Sequence, residues 1–281
     1  VSTANGTVRH GIPFAEYQGS RSLSISALKN MRRSPLHYRY RLDHPQKQTA
    51  AMALGTATHA AILEPERFAL EYVVWDGARR TGKEWDAFVA ASGSSKILSA
   101  KEHDAVLCMS VAVRSNRYAA MYLETGAAEV TMGWADDVTG FDCKGRADWI
   151  TKDGSADVLV GLKTAKDCRP IPFGNQAARL GYHLQWAFYF DGFYTIHGKE
   201  PRVVEIVVEN EEPHDCAVYV IGEDVLEAGR LEYRRLLDRV AECEMSGNWP
   251  GAVEGQESLT LPSWVYESES DLVGLELEGE D

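Results

Sequence analysis

The chain has 281 residues, 44% of them hydrophobic and 25% charged, which is enough apolar material to bury a sizeable core in one large domain or two small ones. No apolar run approaches the roughly 18 residues of a membrane span. The first residues lack the charged-then-apolar order of a signal peptide, so the expected compartment is the cytoplasm and no membrane partner is expected. Five cysteines at 108, 143, 168, 216 and 243 are odd in number and widely spaced. That pattern argues against a disulfide framework or a zinc site.

The net charge of −13 at first weighs against a nucleic-acid partner, but it is unevenly spread. Residues 251–281 carry nine acids and no Lys or Arg, leaving −4 for the rest, whereas residues 1–50 carry eight Lys/Arg against two acids. A basic end, an acidic middle and an acidic tail are compatible with one DNA-facing side.

In chain order, residues 1–20 show little periodicity and read as an extended or mobile arm. Ser24 or Ser26 can cap a short helix, and Ser34-Pro35 restarts it with serine at the cap and proline in the first turn. Arg32, Arg33, Arg39 and Arg41 crowd this region, as a solvated basic surface or as contacts to phosphates. Residues 49–64 are rich in small residues and read as a helix ending at Pro65. His59 lies within it and by itself reads as a core histidine.

A strand at 71–75, a helix near 83–92 and a better helix from about 100 to 114 follow. Ser99 and Glu102 form a capping box for the last, with Val106, Met109 and Val113 as its apolar stripe. Glu129 sits in the alternating run AEVTMGW, either as a strand-edge acid or as a site residue.

Two strand-like runs, about 142–150 and 157–163, flank Asp153-Gly154, which predicts a type I′ hairpin turn. With those two residues central, Lys152 faces Ser155, Asp148 faces Leu159 and Arg146 faces Gly161. Side-chain alternation then puts Asp148, position 161 and Lys163 on one face. An acid and a lysine so placed can hold a divalent metal and position a water.

A long aromatic helix is predicted from Asn175 to about Tyr194, with Tyr182 and Gln185 neighbours on one face. Strands at 202–209 and 216–221 extend the sheet. A charged helix from about 223 to 245 carries Leu226, Leu231 and Leu237. The chain beyond Trp264 is acidic and poor in aromatics, so disorder is expected there. The expected fold class is α/β: a mixed β-sheet with an antiparallel hairpin, flanked by α-helices. The expected organisation is an arm at 1–20, one domain at 21–265 and a tail at 266–281.

Asp148, a dozen residues, then Leu162-Lys163-Thr164 resembles the PD-(D/E)xK, restriction-endonuclease-like nucleases, whose catalytic hairpin supplies Asp…(Asp/Glu)-x-Lys. The ordered set SISALKNMRRSPLHY (24–38), GTATHAAILEPERF (55–68), GRADWI (145–150), LKTAKD (162–167) and YHLQWAFY (182–189) resembles the RecE-type exonucleases of phages and prophages, over roughly residues 20–265. Gly161 departs from that pattern, occupying the place of a metal-binding acid.

The resemblance implies a 5′-to-3′ exonuclease on linear double-stranded DNA that leaves 3′ overhangs for a RecT-like annealing protein. It also implies a homo-oligomeric ring. His59, Asp148, the Leu162 backbone carbonyl and the missing acid at Gly161 would hold Mg²⁺ or Mn²⁺, with two ions in an intact site. Lys163, Gln185, Tyr182, Glu129 and Asp148 would form the catalytic set. Arg21, Ser24 and Ser26 match the 5′-phosphate positions, and Arg32, Arg33, Arg146 and Lys166 are further expected DNA contacts. With Gly161 in place of an acid, the chain as written is expected to be impaired or inactive. The alternatives are a non-catalytic DNA-end-binding scaffold and another nuclease of the superfamily, such as a Cas4-like enzyme, against which the unclustered cysteines argue.

Overall fold

The computed structural model describes residues 2–3 and 6–262. Its main sheet contains β1 (Ser2–Thr3), β2 (Gly6–Arg9) and β3 (Leu23–Ser24), then β6 (Ala127–Ala135), β7 (Asp142–Asp153), β8 (Ala156–Ala165), β9 (Arg202–Glu209) and β10 (Cys216–Val220). The strand order is β1-β2-β6-β7-β8-β9-β10, with β3 paired to β7. Strands β8 and β9 run parallel, as do β3 and β7, while the remaining pairs in this sheet are antiparallel. Strands β4 (Tyr72–Trp75) and β5 (Lys96–Ser99) form a separate parallel pair. This is the expected mixed α/β architecture with an antiparallel hairpin.

Strands β8 and β9 read as nearly unbroken apolar runs because both of their faces are covered. On one face, Val158, Val160, Leu162, Val204, Ile206 and Val208 pack against α4 (Ala50–Leu63), α7 (Ala100–Ser115) and α8 (Arg117–Leu123). The predicted stripe of Val106, Met109 and Val113 is fully buried in that layer. The capping box of Ser99 and Glu102 starts α7. On the other face, Leu159, Val203 and Val207 meet α9 (Pro170–Leu180), α10 (Tyr182–His197) and α11 (Glu223–Ser246). Strand parity places Gly161, Lys163 and Glu205 on this second face. Near the start of the chain, Ser24 and Ser34 cap α2 (Ile25–Leu28) and α3 (Pro35–Asp43), and Pro35 opens α3.

Three local expectations are corrected. The hairpin turn centres on Gly154 and Ser155, so Asp153 pairs with Ala156 and Ile150 with Leu159. Gly154 has φ +61 and Ser155 is not among the positive-φ residues, so the positive angle falls on the glycine alone, as in a type II′ turn. The expected type I′ turn over Asp153-Gly154 would have imposed it on Asp153 as well. The slip is one residue on each strand, so it leaves the parity of Asp148, position 161 and Lys163 intact.

The long helix expected over 175–194 is two helices. Gly181, at φ +65, ends α9 with its N–H on Ala177 and Ala178, and α10 restarts at Tyr182. The first twenty residues, expected as an arm, include β2, paired with β6, and α1 (Phe14–Gly19). The acidic tail at 266–281 and Trp264 lie outside the described residues. Among those described, no helix is long and apolar enough to cross a membrane. Leu231, grouped with Leu226 and Leu237 in the sequence, is 66% exposed while the other two are buried.

Helices α10 and α11 cross closely at Gly229, where a Cβ would come 2.1 Å from the His183 carbonyl oxygen. Gly229→Ala should force the helices apart and cost about 1–3 kcal/mol of stability. Urea denaturation monitored by circular dichroism measures this; an unchanged midpoint would show that the crossing tolerates a methyl group.

Candidate active site

The site forms where the β7–β8 ladder stops. The last bridged pair is Trp149–Val160, and beyond it the Leu162 N–H donates to Asp148 Oδ2 at 2.9 Å instead of to backbone. Lys163 Nζ donates to the same oxygen at 3.3 Å and to the Leu162 carbonyl at 3.2 Å. It also lies 3.5 Å from Glu205 Oε1 on the neighbouring strand.

Glu129 lies in β6 between the pairs Ala128–Trp149 and Val130–Ala147, with a left-handed φ of +53. For a glutamate this conformation costs on the order of 1–3 kcal/mol, and such strain gathers at functional sites. Its Oε2 lies 2.5 Å from Arg146 Nε. From α4, His59 Nδ1 comes within 4.0 Å of Asp148 Oδ1. His59, Glu129 and Asp148 each present a ligand atom, and these atoms lie within 4.8 Å of one another.

The electrostatics suit a cation. Burial pushes the Glu129 carboxyl up to about 7, with Asp148 adding to the rise and Arg146 opposing it. Burial alone would raise Asp148 too, but Lys163, His59 and the Leu162 N–H outweigh it and hold the carboxyl below its ordinary value. Burial works to discharge Lys163, yet Asp148 and Glu205 outweigh it and keep the ammonium charged well above the usual range. His59 is lowered by burial, against the pull of Asp148, which favours the neutral, ligating imidazole. Two carboxylates and one imidazole form a donor set that fits Mg²⁺ or, with its greater tolerance for nitrogen, Mn²⁺.

Other predicted residues divide clearly. The Tyr182 ring lies close to two amines, with Lys163 Nζ at 5.6 Å and Lys29 Nζ at 5.5 Å from its centroid. Gln185 lines a small cavity together with Asp148, Gly161 and Glu205. Arg21, Ser26, Arg33 and Lys166 are exposed, while the Ser24 hydroxyl accepts from the Ala27 N–H as a helix cap.

Arg32 is committed elsewhere: its Nε lies 2.8 Å from Glu232 Oε1, and its other nitrogens donate to the Ala178 and Arg179 carbonyls at the end of α9. Arg146 is a correction. Expected as a DNA contact, it is buried beneath Phe14 and Tyr17 and paired with Glu129.

Two residues escaped the sequence reading. Lys29 stands beside the site, its amine lowered to about 7 by burial and by the charges of Lys163 and Arg32. Glu205 is wholly buried in β9. Its signal was present in RVVEIVVE, an acid in the middle of an otherwise apolar strand.

The folded chain holds a proton on Glu129 up to about pH 7, whereas an ordinary glutamate releases it near 4.5. Between those values the folded state binds more protons, so this contribution to stability is present below the lower value and is lost as pH rises through the upper one. Glu205, raised to about 6 chiefly by burial, acts in the same direction. In EDTA, the melting temperature of the protein should therefore fall relative to that of Glu129→Gln as the buffer goes from about pH 5.5 to about pH 8. Parallel curves would mean that Glu129 titrates normally.

Comparison with known proteins places the chain in a family. No curated protein matches the chain. Among solved structures, the crystal structure of a "Putative exonuclease" from Eubacterium rectale aligns with a TM-score of 0.62 at 14% identity, covering 90% of this chain and 96% of that one. At that identity the likeness is one of fold. The structure of SSO0001 aligns over 86% of this chain and 99% of its own at 13% identity, with a TM-score of only 0.29. Residues 24–262, which contain every member of the site, match a family model, and the chain belongs to that family: the PDDEXK-like domains of unknown function known as DUF3799.

Proposed function

We propose that the protein is a metal-dependent deoxyribonuclease, a 5′-to-3′ exonuclease on linear double-stranded DNA. The observation that carries this reading is the convergence of His59, Glu129 and Asp148 beside a half-buried, charged Lys163. His59, Glu129, Asp148 and the Leu162 carbonyl would hold Mg²⁺ or Mn²⁺, in one or two ions. The bound cation would offset the charge that builds on the scissile phosphate.

Lys163, as a charged ammonium, would orient the attacking water and favour its ionised form electrostatically. Gln185, which lines the same cavity as Asp148, would steady that water. Exposed Arg21 and Ser26, with Lys29 nearer the site, would offer cationic groups and a hydroxyl to a 5′-phosphate. Release of 3′ overhangs to a RecT-like annealing partner, by a ring-shaped oligomer enclosing the duplex, completes the proposal. The resemblance of the ordered sequence blocks to RecE-type exonucleases supports that part. The impairment expected from Gly161 loses force because Glu205 brings a carboxylate to the same face.

Linear duplex labelled at either the 5′ or the 3′ end should be degraded in Mg²⁺ or Mn²⁺ and spared in EDTA, with the 5′ label released first. Lys163→Ala should lower the rate by about 10²-fold or more, the scale of a lost electrostatic donor. End binding without any metal-dependent cleavage would overturn the nuclease reading in favour of a scaffold. Release of the 3′ label first would reverse the polarity.

A further inference from the structure

Strands β8 and β9 are paired in parallel with Gly161 opposite Glu205. The two positions share one volume: a Cβ on Gly161 would stand 2.4 Å from Glu205 Oε2, 2.6 Å from Oε1 and 2.7 Å from the carboxyl carbon. The glutamate head group therefore sits where a side chain of residue 161 would begin. Glu205 is fully buried, flanked along its strand by Val203, Val204, Ile206 and Val207. Placing a carboxylate there is costly unless something positive repays it.

Its partners repay only part of that cost. Oε2 accepts a hydrogen bond from Trp186 Nε1. Oε1 has no hydrogen-bond partner and lies 3.5 Å from Lys163 Nζ. Around that ammonium three oxygens converge: Asp148 Oδ2 at 3.3 Å, the Leu162 carbonyl at 3.2 Å and Glu205 Oε1. Two carboxylates and a backbone carbonyl are the hard oxygen donors that a divalent cation takes.

We infer that Glu205 is a metal-binding carboxylate, supplied from β9 in place of one on position 161 of β8. The inference rests on the metal-dependent reading above and deepens it. Gly161 is then neither a loss nor a lesion; it is the space that Glu205 requires. His59, Glu129 and Asp148 already converge; Glu205, across Lys163 from Asp148, would join them with the Leu162 carbonyl in taking divalent cations of the Mg²⁺ or Mn²⁺ class. On this account, adding aspartate at 161 does not repair the chain. The new side chain collides with a buried carboxylate and brings a second negative charge against it.

The test is Mn²⁺ binding followed by calorimetry on the intact chain, with melting temperatures as a control for folding. Glu205→Gln keeps the size of the side chain and an acceptor for Trp186, so it should remain folded while Mn²⁺ affinity falls at least ~10-fold. Gly161→Asp alone should bind no more tightly than the parent. Gly161→Asp combined with Glu205→Ala moves the carboxylate back to β8 and opens room for it, so affinity should return to within about threefold of the parent, a small part of the ~10-fold loss.

Asp148→Asn separates the two levels of the argument. If it leaves Mn²⁺ binding unchanged, the metal-centre reading fails. If it abolishes binding while Glu205→Gln binds like the parent, the metal centre stands and the role of Glu205 is overturned. Should Glu205→Gln be too unstable to titrate, the paired exchange decides: a folded double variant that binds no Mn²⁺ overturns the inference.

Discussion

A lysine ammonium held between a half-buried carboxylate and a fully buried one is the interaction on which this architecture turns. Lys163 contacts Asp148 on the antiparallel neighbour and approaches Glu205 on the parallel one. Both contacts exist only because β8 lies between β7 and β9 in the sheet. Each charge would be prohibitively costly alone in this interior, and removing any one leaves the others uncompensated. The mixed sheet is thus the frame of the site as well as of the core. Helix α10 closes the arrangement, with Trp186 donating to Glu205 and the Tyr182 ring lying against the lysine.

A second charge pair supports the first from the edge. Arg146 meets Glu129, and the rings of Phe14 and Tyr17 cover the guanidinium at 5.6 and 5.8 Å. Burial of this kind strengthens the pair and fixes where the glutamate points. The left-handed backbone of Glu129 serves the same end, since it interrupts a regular strand to aim one side chain. The opening residues of the chain therefore contribute to the electrostatics of a centre more than a hundred positions away in sequence.

Much of this was legible in the sequence because local rules and tertiary demands agree. Capping serines at 24, 34 and 99, the Pro35 start and the apolar stripe of α7 all appear where their chemistry places them. The common face of Asp148 and Lys163 was also readable, because a slip of one residue on each strand preserves parity. What escaped had non-local causes. The break at Gly181 depends on a glycine that could equally have been carried within a helix, and Arg32 braces that break from another element. The burial of Arg146 requires α1, which is too short to announce itself by periodicity. Glu205 belongs to the site through strand pairing, and no spacing rule along the chain connects positions 161 and 205.

That pairing constrains how the family can vary. Because the space beside Gly161 is filled by the head group of residue 205, a side chain at 161 and a glutamate at 205 exclude each other. The two positions behave as one functional slot written on two strands. A lineage moving the carboxylate from one strand to the other must pass through a chain that holds both groups in collision or neither of them. Such a step is taken by paired change, so related chains should carry an acid at one position and a small residue at the other. A search that aligns only the hairpin will count the chains with glycine at 161 as broken.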